Sequence, residues 1–263
     1  MNQPPPLQAP DAGAAAPARM SLASRLFNIF ATPGEVMEDV AHSGPTVANW
    51  LVPALVLIVV GWIGTWLIFS QPAIQQQLSE ITSQAIEKQM AQQKMSEQQA
   101  EQVRNAAEKW GLLGAKISAY VAPAAMAFAV PFLWGLILWL VGRNVFKRDF
   151  PFMKAVEVVG LAAMIGILET VVRTLLILVT GNLFASPSLV LLVRNYDPQN
   201  PVHGLLPLTN VLVWWLLAVR AVGLARLAAV SFARAAAWVF GIWLAYSGSM
   251  VGLGYAMQAI FKR

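Results

Sequence analysis

Residues Lys154–Thr180 read KAVEVVGLAAMIGILETVVRTLLILVT. This stretch is long and apolar enough to cross a bilayer, since a spanning helix needs about 20 mostly apolar residues. It nevertheless contains Glu157, Glu169 and Arg173, and the last two lie near its middle. A charge at the bilayer centre costs about 3 kcal/mol on insertion scales, so such residues usually face the protein interior. The stretch therefore predicts the core helix of a membrane bundle.

Glu169 and Arg173 are the two charges that demand a partner inside this helix. They are four residues apart, which places them on one helix face with the acid on the amino-terminal side, the favourable orientation. One interpretation is structural: the two residues form an internal ion pair, or each pairs with a polar neighbour, which lets a polar helix sit in the bundle core. The other interpretation is a proton or substrate site.

Glu157 belongs to a different level of the same helix. It lies about 18 Å from Glu169 along the axis, by the helical rise of 1.5 Å per residue. Two arginines, Arg220 and Arg226, are predicted to reach the same end of the bundle from a later helix. We therefore expect Glu157 to bind one of them and so to tie the two helices together.

The composition is that of an integral membrane protein. Hydrophobic residues make up 57% of the chain and charged residues only 12%, whereas soluble domains carry about 25% charged residues. Many of the ten Trp residues lie at the ends of apolar runs, where their amphipathic rings favour the headgroup layer. The net charge of +5 then points to anionic lipid and loop topology rather than to nucleic acid. Cys is absent, which excludes disulfides and thiol catalysis.

Apolar runs outward from the core helix predict an all-α fold, a polytopic membrane bundle of five transmembrane helices. Two prolines interrupt the second run, and packed neighbours can absorb the kinks that they cause. The five predicted spans are Asn49–Phe69, Leu112–Gly142, Lys154–Thr180, Leu205–Leu224 and Ala235–Gln258.

The segments outside these spans divide the chain further. Residues 1–19 are rich in Pro and Ala and are predicted to be disordered. Residues 20–45 predict two short amphipathic helices in the membrane interface, ahead of a transmembrane domain over 46–263. Residues 71–110 are rich in Gln and predict a coiled-coil-like helical hairpin outside the membrane, with a low-complexity linker as the alternative. Residues 186–193 are apolar but too short to span, which indicates an interfacial or re-entrant half-helix.

Basic residues decide the predicted orientation. The loop between the second and third spans contains four basic residues and one acid: Arg143, Lys147, Arg148, Lys154 and Asp149. Three arginines gather at the far end of the fourth span: Arg220, Arg226 and Arg234. Short loops with an excess of Lys and Arg stay in the cytoplasm. The amino terminus is therefore expected in the cytoplasm, and the Gln-rich hairpin and the carboxy terminus outside.

The sequence contains few residues in the patterns typical of catalytic or metal sites. Its two histidines, His42 and His203, each stand beside a turn without a second His or an acid at metal-ligand spacing. No phosphate-cradling Gly loop and no nucleophile motif is present. We expect no catalytic, cofactor or metal site and no enzymatic activity.

Three segments carry a resemblance to a known family: SLASRLFNIFATPGEVMEDV over 21–40, Phe152–Gly160, and VLVWWLLAVRAVGLARLAAVSFARAAAWVFG over Val211–Gly241. The first resembles the short amphipathic segment that precedes five helices in Yip-domain (Ypt/Rab-interacting protein) membrane proteins. The other two resemble the start of that family's third helix and its fourth helix, basic turn and fifth helix. The likeness is to the bacterial branch, which implies a bacterial inner membrane.

The resemblance implies a five-helix bundle without catalytic residues or cofactors. The Tyr-Gly-Pro type motif of many eukaryotic members is missing, and Leu161 stands where they often have Tyr. These departures argue against binding of small GTPases. The expected partners are the lipid bilayer and a membrane protein or a second copy of the chain.

Two functions are consistent with the sequence. The first is a non-enzymatic membrane protein that organises lipid or partner proteins through its interfacial helices and hairpin. The alternative is a small transporter or lipid-moving channel that uses Glu169 and Arg173. A water-lined path that reaches Glu169 would favour the second function, and a dry, packed ion pair the first.

The predicted orientation can be tested by thiol labelling, because the chain has no Cys of its own. We expect Gln92→Cys to react with an impermeant maleimide in intact cells, whereas Lys147→Cys should react only after permeabilisation. Labelling of Lys147→Cys from outside intact cells would overturn the orientation.

Overall fold

The structure is a computed structural model that describes residues 19–93, 97–194, 196–198 and 200–261. All regular structure in these residues is helical. The α-helices are α1 (Leu22–Asn28), α2 (Pro33–His42), α3 (Ala48–Phe69), α4 (Pro72–Gln93), α5 (Glu97–Leu140), α6 (Phe152–Thr180), α7 (Pro201–Leu205), α8 (Val211–Ala228) and α9 (Phe232–Phe261). A π-turn, Val141–Val145, continues α5, and 3₁₀ turns cover Leu189–Leu192 and Leu206–Thr209.

The predicted fold class is confirmed. Five helices in the described part of the chain are long and apolar enough to cross a membrane: Ala48–Phe69, Leu113–Val145, Phe152–Thr180, Val211–Ala228 and Phe232–Met257. They match the five predicted spans except at the start of the fourth. That span begins at Val211, not at Leu205, because the Asn210 side chain caps the helix by accepting hydrogen bonds from the backbone N–H groups of Leu212 and Val213.

The Gln-rich segment differs from the predicted free-standing hairpin. Its first arm is the separate helix α4, but its second arm is the beginning of α5 and runs without a break into the second span. With 44 residues, α5 is about 66 Å long, roughly twice the thickness of a bilayer core. Pro123 and Pro131 lie inside it without ending it. The predicted tail, residues 1–19, lies outside the described residues except for Arg19.

The helix α6 forms the centre of the bundle. Every residue from 154 to 162 is buried, so this half of α6 is enclosed on all sides. The neighbouring helices α2, α3, α5 and α8 all contact it. A helix that is covered all round must be apolar on every face or pair its polar groups internally. This requirement falls on Lys154 and Glu157.

The helices α3 and α6 run side by side in the same direction. Gly160 lies against the backbone of Trp50, and further along Gly64 lies against Thr174. The two contacts are equally spaced on both helices, which fixes a parallel arrangement with a constant register. Small residues at such contacts let helix backbones approach closely, which is a main source of packing energy between membrane helices.

The two amphipathic helices α1 and α2 pack on the bundle beside the beginning of α6 and the end of α8. Their inward side chains Ile29, Val36, Met37 and Val40 are fully buried in the main core cluster. Val36, Met37 and Val40 share the buried face of α2, which agrees with the amphipathic helix expected there. We call this end of the molecule the base of the bundle, and the opposite end, where α4 begins, the hairpin end.

The helix α8 covers only part of α6. Asn210, immediately before α8, donates a hydrogen bond from Nδ2 to Glu169 Oε1 at 2.9 Å. Beyond Glu169, α6 continues for about 16 Å to Thr180 by the helical rise. The chain then returns through the loop between α6 and α8, where the predicted half-helix is a single 3₁₀ turn, Leu189–Leu192. Between Glu169 and Thr180, α6 therefore extends past the beginning of α8 at Val211.

The contact at Gly160 predicts the effect of one added methyl group. A Cβ at Gly160 would collide with Trp50 and lie 2.9 Å from the Asn49 carbonyl oxygen. Because the obstacle is backbone, Gly160→Ala should lower the free energy of unfolding by about 1–3 kcal/mol. The measurement is thermal unfolding of the purified protein in one detergent.

Gly166 of the same helix offers the matched control. Its nearest neighbour to an added Cβ is Leu216 Cδ1 at 3.8 Å, so Gly166→Ala should leave the melting temperature unchanged or raise it slightly. Equal melting of the two variants would show that the close packing at Trp50 is not needed.

Candidate functional site

A cluster of buried polar groups lies at the base, around the Glu157 carboxylate. Glu157 is fully buried. Its Oε1 accepts a hydrogen bond from the Thr46 backbone N–H at 3.0 Å and lies 3.3 Å from Lys154 Nζ. Its Oε2 accepts a hydrogen bond of 2.6 Å from Asn49 Nδ2. Lys154 Nζ also donates to the Gly44 carbonyl oxygen at 3.0 Å. The charge is therefore compensated and hydrogen-bonded, as burial requires.

The cluster continues from Asn49 into the amphipathic helices. Arg25 Nη1 donates to Asn49 Oδ1 at 3.3 Å, and Arg25 Nε donates to Asp39 Oδ2 at 2.7 Å. Arg25 is only 6% exposed, in the middle of the apolar face of α1. This chain of contacts joins α1, α2, α3 and α6 at one place. We call it the base network: Arg25, Asp39, Asn49, Lys154 and Glu157.

The expected contact between Glu157 and Arg220 or Arg226 is wrong. Arg226 Nη1 instead pairs with Glu38 Oε2 of α2 at 3.1 Å, on a half-exposed surface. Arg220 makes no ion pair with any residue that the structure describes. Lys154, three residues before Glu157, supplies the cation instead, because the helical spacing brings it to the same face.

A cavity of about 560 Å³ lies in the bundle between α3, α5 and α6 and is partly open to the outside. Its walls are mostly apolar, and they include the three remaining charged residues that the sequence singles out: Glu169, Arg173 and Arg220. Binding sites for small molecules are typically clefts of about 300–1,000 Å³ with a few polar groups among apolar walls. The cavity has this form.

Glu169 and Arg173 do not form the predicted internal ion pair. Within the described part of the chain, the polar partner of the Glu169 side chain is Asn210, and no ion pair joins it to Arg173. The Arg173 side chain is exposed although it belongs to an apolar span. The dry, packed pair of the structural interpretation is therefore absent.

Arg220 reaches the same cavity from α8. It is 5% exposed, and its guanidinium carbon lies 4.7 Å from the centre of the Trp134 ring, which is a cation–π contact. Its Nε is buried without a hydrogen-bond partner among the described residues. A buried guanidinium normally pairs with an acid or a carbonyl group, so Arg220 retains unused donor capacity beside a cavity.

The polar groups of the lining are few. Among the described residues, the lining contains one carboxylate, two guanidiniums and three threonines. No group of three or more His, Cys, Asp or Glu side chains in the described residues is placed to hold a metal ion. The cavity can therefore hold an apolar molecule and contact a polar headgroup.

Sequence reasoning missed four residues that complete these sites: Arg25, Asn49, Trp134 and Asn210. Three of them carried a signal. Arg25 interrupts the apolar face of α1, Asn49 is the polar residue at the first turn of the first span, and Asn210 precedes the fourth. The role of Trp134 had no sequence signal, because the chain has ten Trp residues and only tertiary packing places this one under Arg220.

Comparison with known proteins adds no relative. No protein-family model, curated protein or solved structure matches the chain. The fold and the composition define its class: an integral membrane protein built as an all-helical bundle with five candidate spans.

The base network predicts a large effect of a small change at Glu157. Glu157→Gln removes the only anion beside the buried Lys154 ammonium group while keeping the side-chain volume. Removing one partner of a buried pair typically costs about 3–5 kcal/mol. We expect a clearly lower melting temperature in detergent, partly restored in the double variant Lys154→Met/Glu157→Gln.

Glu38→Gln is the matched control. The Glu38 side chain is 47% exposed in its pair with Arg226, and exposed pairs contribute about 1 kcal/mol or less. If Glu157→Gln melted like Glu38→Gln, the buried network would not hold the base together.

Proposed function

We propose that this chain is a non-enzymatic membrane protein that binds lipid molecules in the cavity between α3, α5 and α6. The observation that carries the proposal is a partly open, apolar cavity inside a set of membrane spans, with Glu169, Arg173 and Arg220 in its walls. An apolar cavity among membrane spans is accessible to lipid, the most abundant apolar molecule there. Charged groups inside spans commonly mark a substrate path.

The missing ion pair supports lipid handling over a purely organising role. The structural interpretation predicts that Glu169 and Arg173 pair with each other, or each with a polar neighbour, in a packed core. Glu169 does bind the polar neighbour Asn210, but Arg173 stands exposed at the cavity. This arrangement keeps a positive charge available to a bound molecule. The lipid-moving alternative raised by the sequence therefore has the better support.

The orientation and the family stay part of the proposal. The basic loop before α6 and the basic turn after α8 support a base that faces the cytoplasm, and with it a hairpin end outside. Likeness to bacterial Yip-domain proteins supports a site in the bacterial inner membrane. A second copy of the chain or another membrane protein remains an expected partner.

A cavity-filling substitution tests lipid binding. Gly61 of α3 lines the cavity, and an added Cβ there meets no atom within 4 Å. Gly61→Leu should therefore occupy cavity space without straining the fold. We expect photo-crosslinking of a neutral diazirine lipid to cavity peptides to fall several-fold, with the melting temperature retained.

Gly241→Leu on α9 is the matched control. An added Cβ at Gly241 also meets no atom within 4 Å, and Gly241 is not among the cavity residues. Crosslinking should stay at the parent level in this variant. Equal crosslinking of cavity peptides in the parent, Gly61→Leu and Gly241→Leu would show that lipid does not enter the cavity.

A further inference from the structure

We propose that the cavity selects an acidic lipid, whose anionic headgroup is bound by the guanidinium of Arg220. This inference rests on the proposed function and adds the chemical class of the ligand. It is carried by the charge and the unused donors of the cavity lining.

The charges of the lining are unequal. Arg173 and Arg220 contribute two positive charges and Glu169 one negative charge, and these are the ionisable side chains among the described residues of the lining. The net charge is therefore +1 in a largely apolar surrounding. Electrostatic interactions are stronger in such a low-dielectric environment than in water. An anionic headgroup would neutralise this charge, whereas a neutral or cationic headgroup would not.

The other polar groups of the cavity already have partners. The hydroxyl groups of three threonines donate to backbone carbonyl oxygens: Thr65 to Ala119, Thr170 to Gly166 and Thr174 to Thr170. Glu169 accepts its hydrogen bond from Asn210. The guanidiniums are left as the polar groups of the lining without a hydrogen bond to a described residue.

Arg220 is the decisive residue, because its burial leaves it no access to bulk water. Arg220 is only 5% exposed. Its Nε has no partner among the described residues, and the Trp134 ring covers one face of the guanidinium. Stacking on an aromatic face leaves the edge of the guanidinium, with its N–H groups, free for a planar or tetrahedral anion. Guanidiniums bind carboxylate and phosphate groups with two parallel hydrogen bonds.

The position of Arg220 explains why the ligand should have a tail. Arg220 lies about 15 Å along α8 from Asn210 by the helical rise, well inside the span. The lining continues from there to Ile68, Phe69 and Ile177 near the hairpin end, and most of its residues are apolar. A headgroup at Arg220 thus leaves the apolar length of the cavity for a hydrocarbon chain. A small free anion would leave this length empty.

A pair of probes separates this inference from the proposed function. The protein in nanodiscs of phosphatidylcholine is exposed to a diazirine-bearing long-chain fatty acid or to the matching fatty alcohol, at a pH where the acid is ionised. Crosslinked protein is quantified by intact-mass spectrometry and mapped by peptide analysis. We expect the acid to label cavity peptides several-fold more than the alcohol, and inorganic phosphate not to compete.

Arginine variants then assign the preference. Arg220→Gln should reduce labelling by the acid to the level of the alcohol, without changing labelling by the alcohol. Arg220→Lys should retain part of the preference. Arg143→Gln is the matched control, because Arg143 also stacks on a Trp ring, at 5.2 Å from the centre of Trp139, but is not among the cavity residues. Should Arg220→Gln fail to fold, Arg220→Lys carries the test, because a loss of part of the preference is expected there.

The outcomes distinguish the two claims. Equal labelling of the parent by acid and alcohol would overturn the selection of an acidic lipid while leaving lipid binding in place. A preference that survives unchanged in Arg220→Gln, or unchanged in Arg220→Lys, would overturn the assignment to Arg220. Competition by phosphate would overturn the requirement for a tail. Absence of cavity labelling by either probe would defeat the proposed function itself.

Discussion

The burial of the Glu157 carboxylate is the constraint on which the base of the bundle depends. A carboxylate without access to water is tolerated only when its charge and its lone pairs are matched, and three segments of the chain supply the partners. Lys154 gives the charge, and Thr46 and Asn49 give hydrogen bonds. Because Asn49 also binds Arg25, the same carboxylate fixes the amphipathic helices on the bundle. Such a network contributes specificity of arrangement more than net stability, since apolar residues could fill the same volume at lower desolvation cost.

The two halves of α6 serve different purposes. The half near the base is enclosed by other helices and has its charges paired. The half near the hairpin end extends past the beginning of α8, and its Glu169 and Arg173 line a cavity. Membrane bundles tolerate unpaired charge only beside water or a ligand. The contrast between paired and unpaired charge on one helix therefore separates the structural part of the bundle from the part proposed to bind lipid.

The long helix α5 forms part of the wall of this cavity. The hairpin arm of α5 continues into the span without a break, and Pro123 and Pro131 of this helix line the cavity. Prolines inside a helix remove backbone hydrogen bonds and provide places where it can bend.

The helix α9 contributes no described residue to the cavity lining. Most of its surface is left for the surrounding lipid.

The sequence by itself determined the number, approximate limits and class of the helices, because length and apolarity suffice to define a membrane span. It also determined that Glu157, Glu169, Arg173 and Arg220 needed an explanation, because charge inside a span is costly. Only the tertiary structure decided their partners. Helical spacing permitted a pair between Glu169 and Arg173, but the beginning of α8 brought its cap residue Asn210 to Glu169. Burial of Arg220 beside Trp134 likewise depended on the packing of α8 against α5. Spacing along one helix defines which residues share a face, whereas the choice among partners depends on neighbouring helices whose register no local pattern contains.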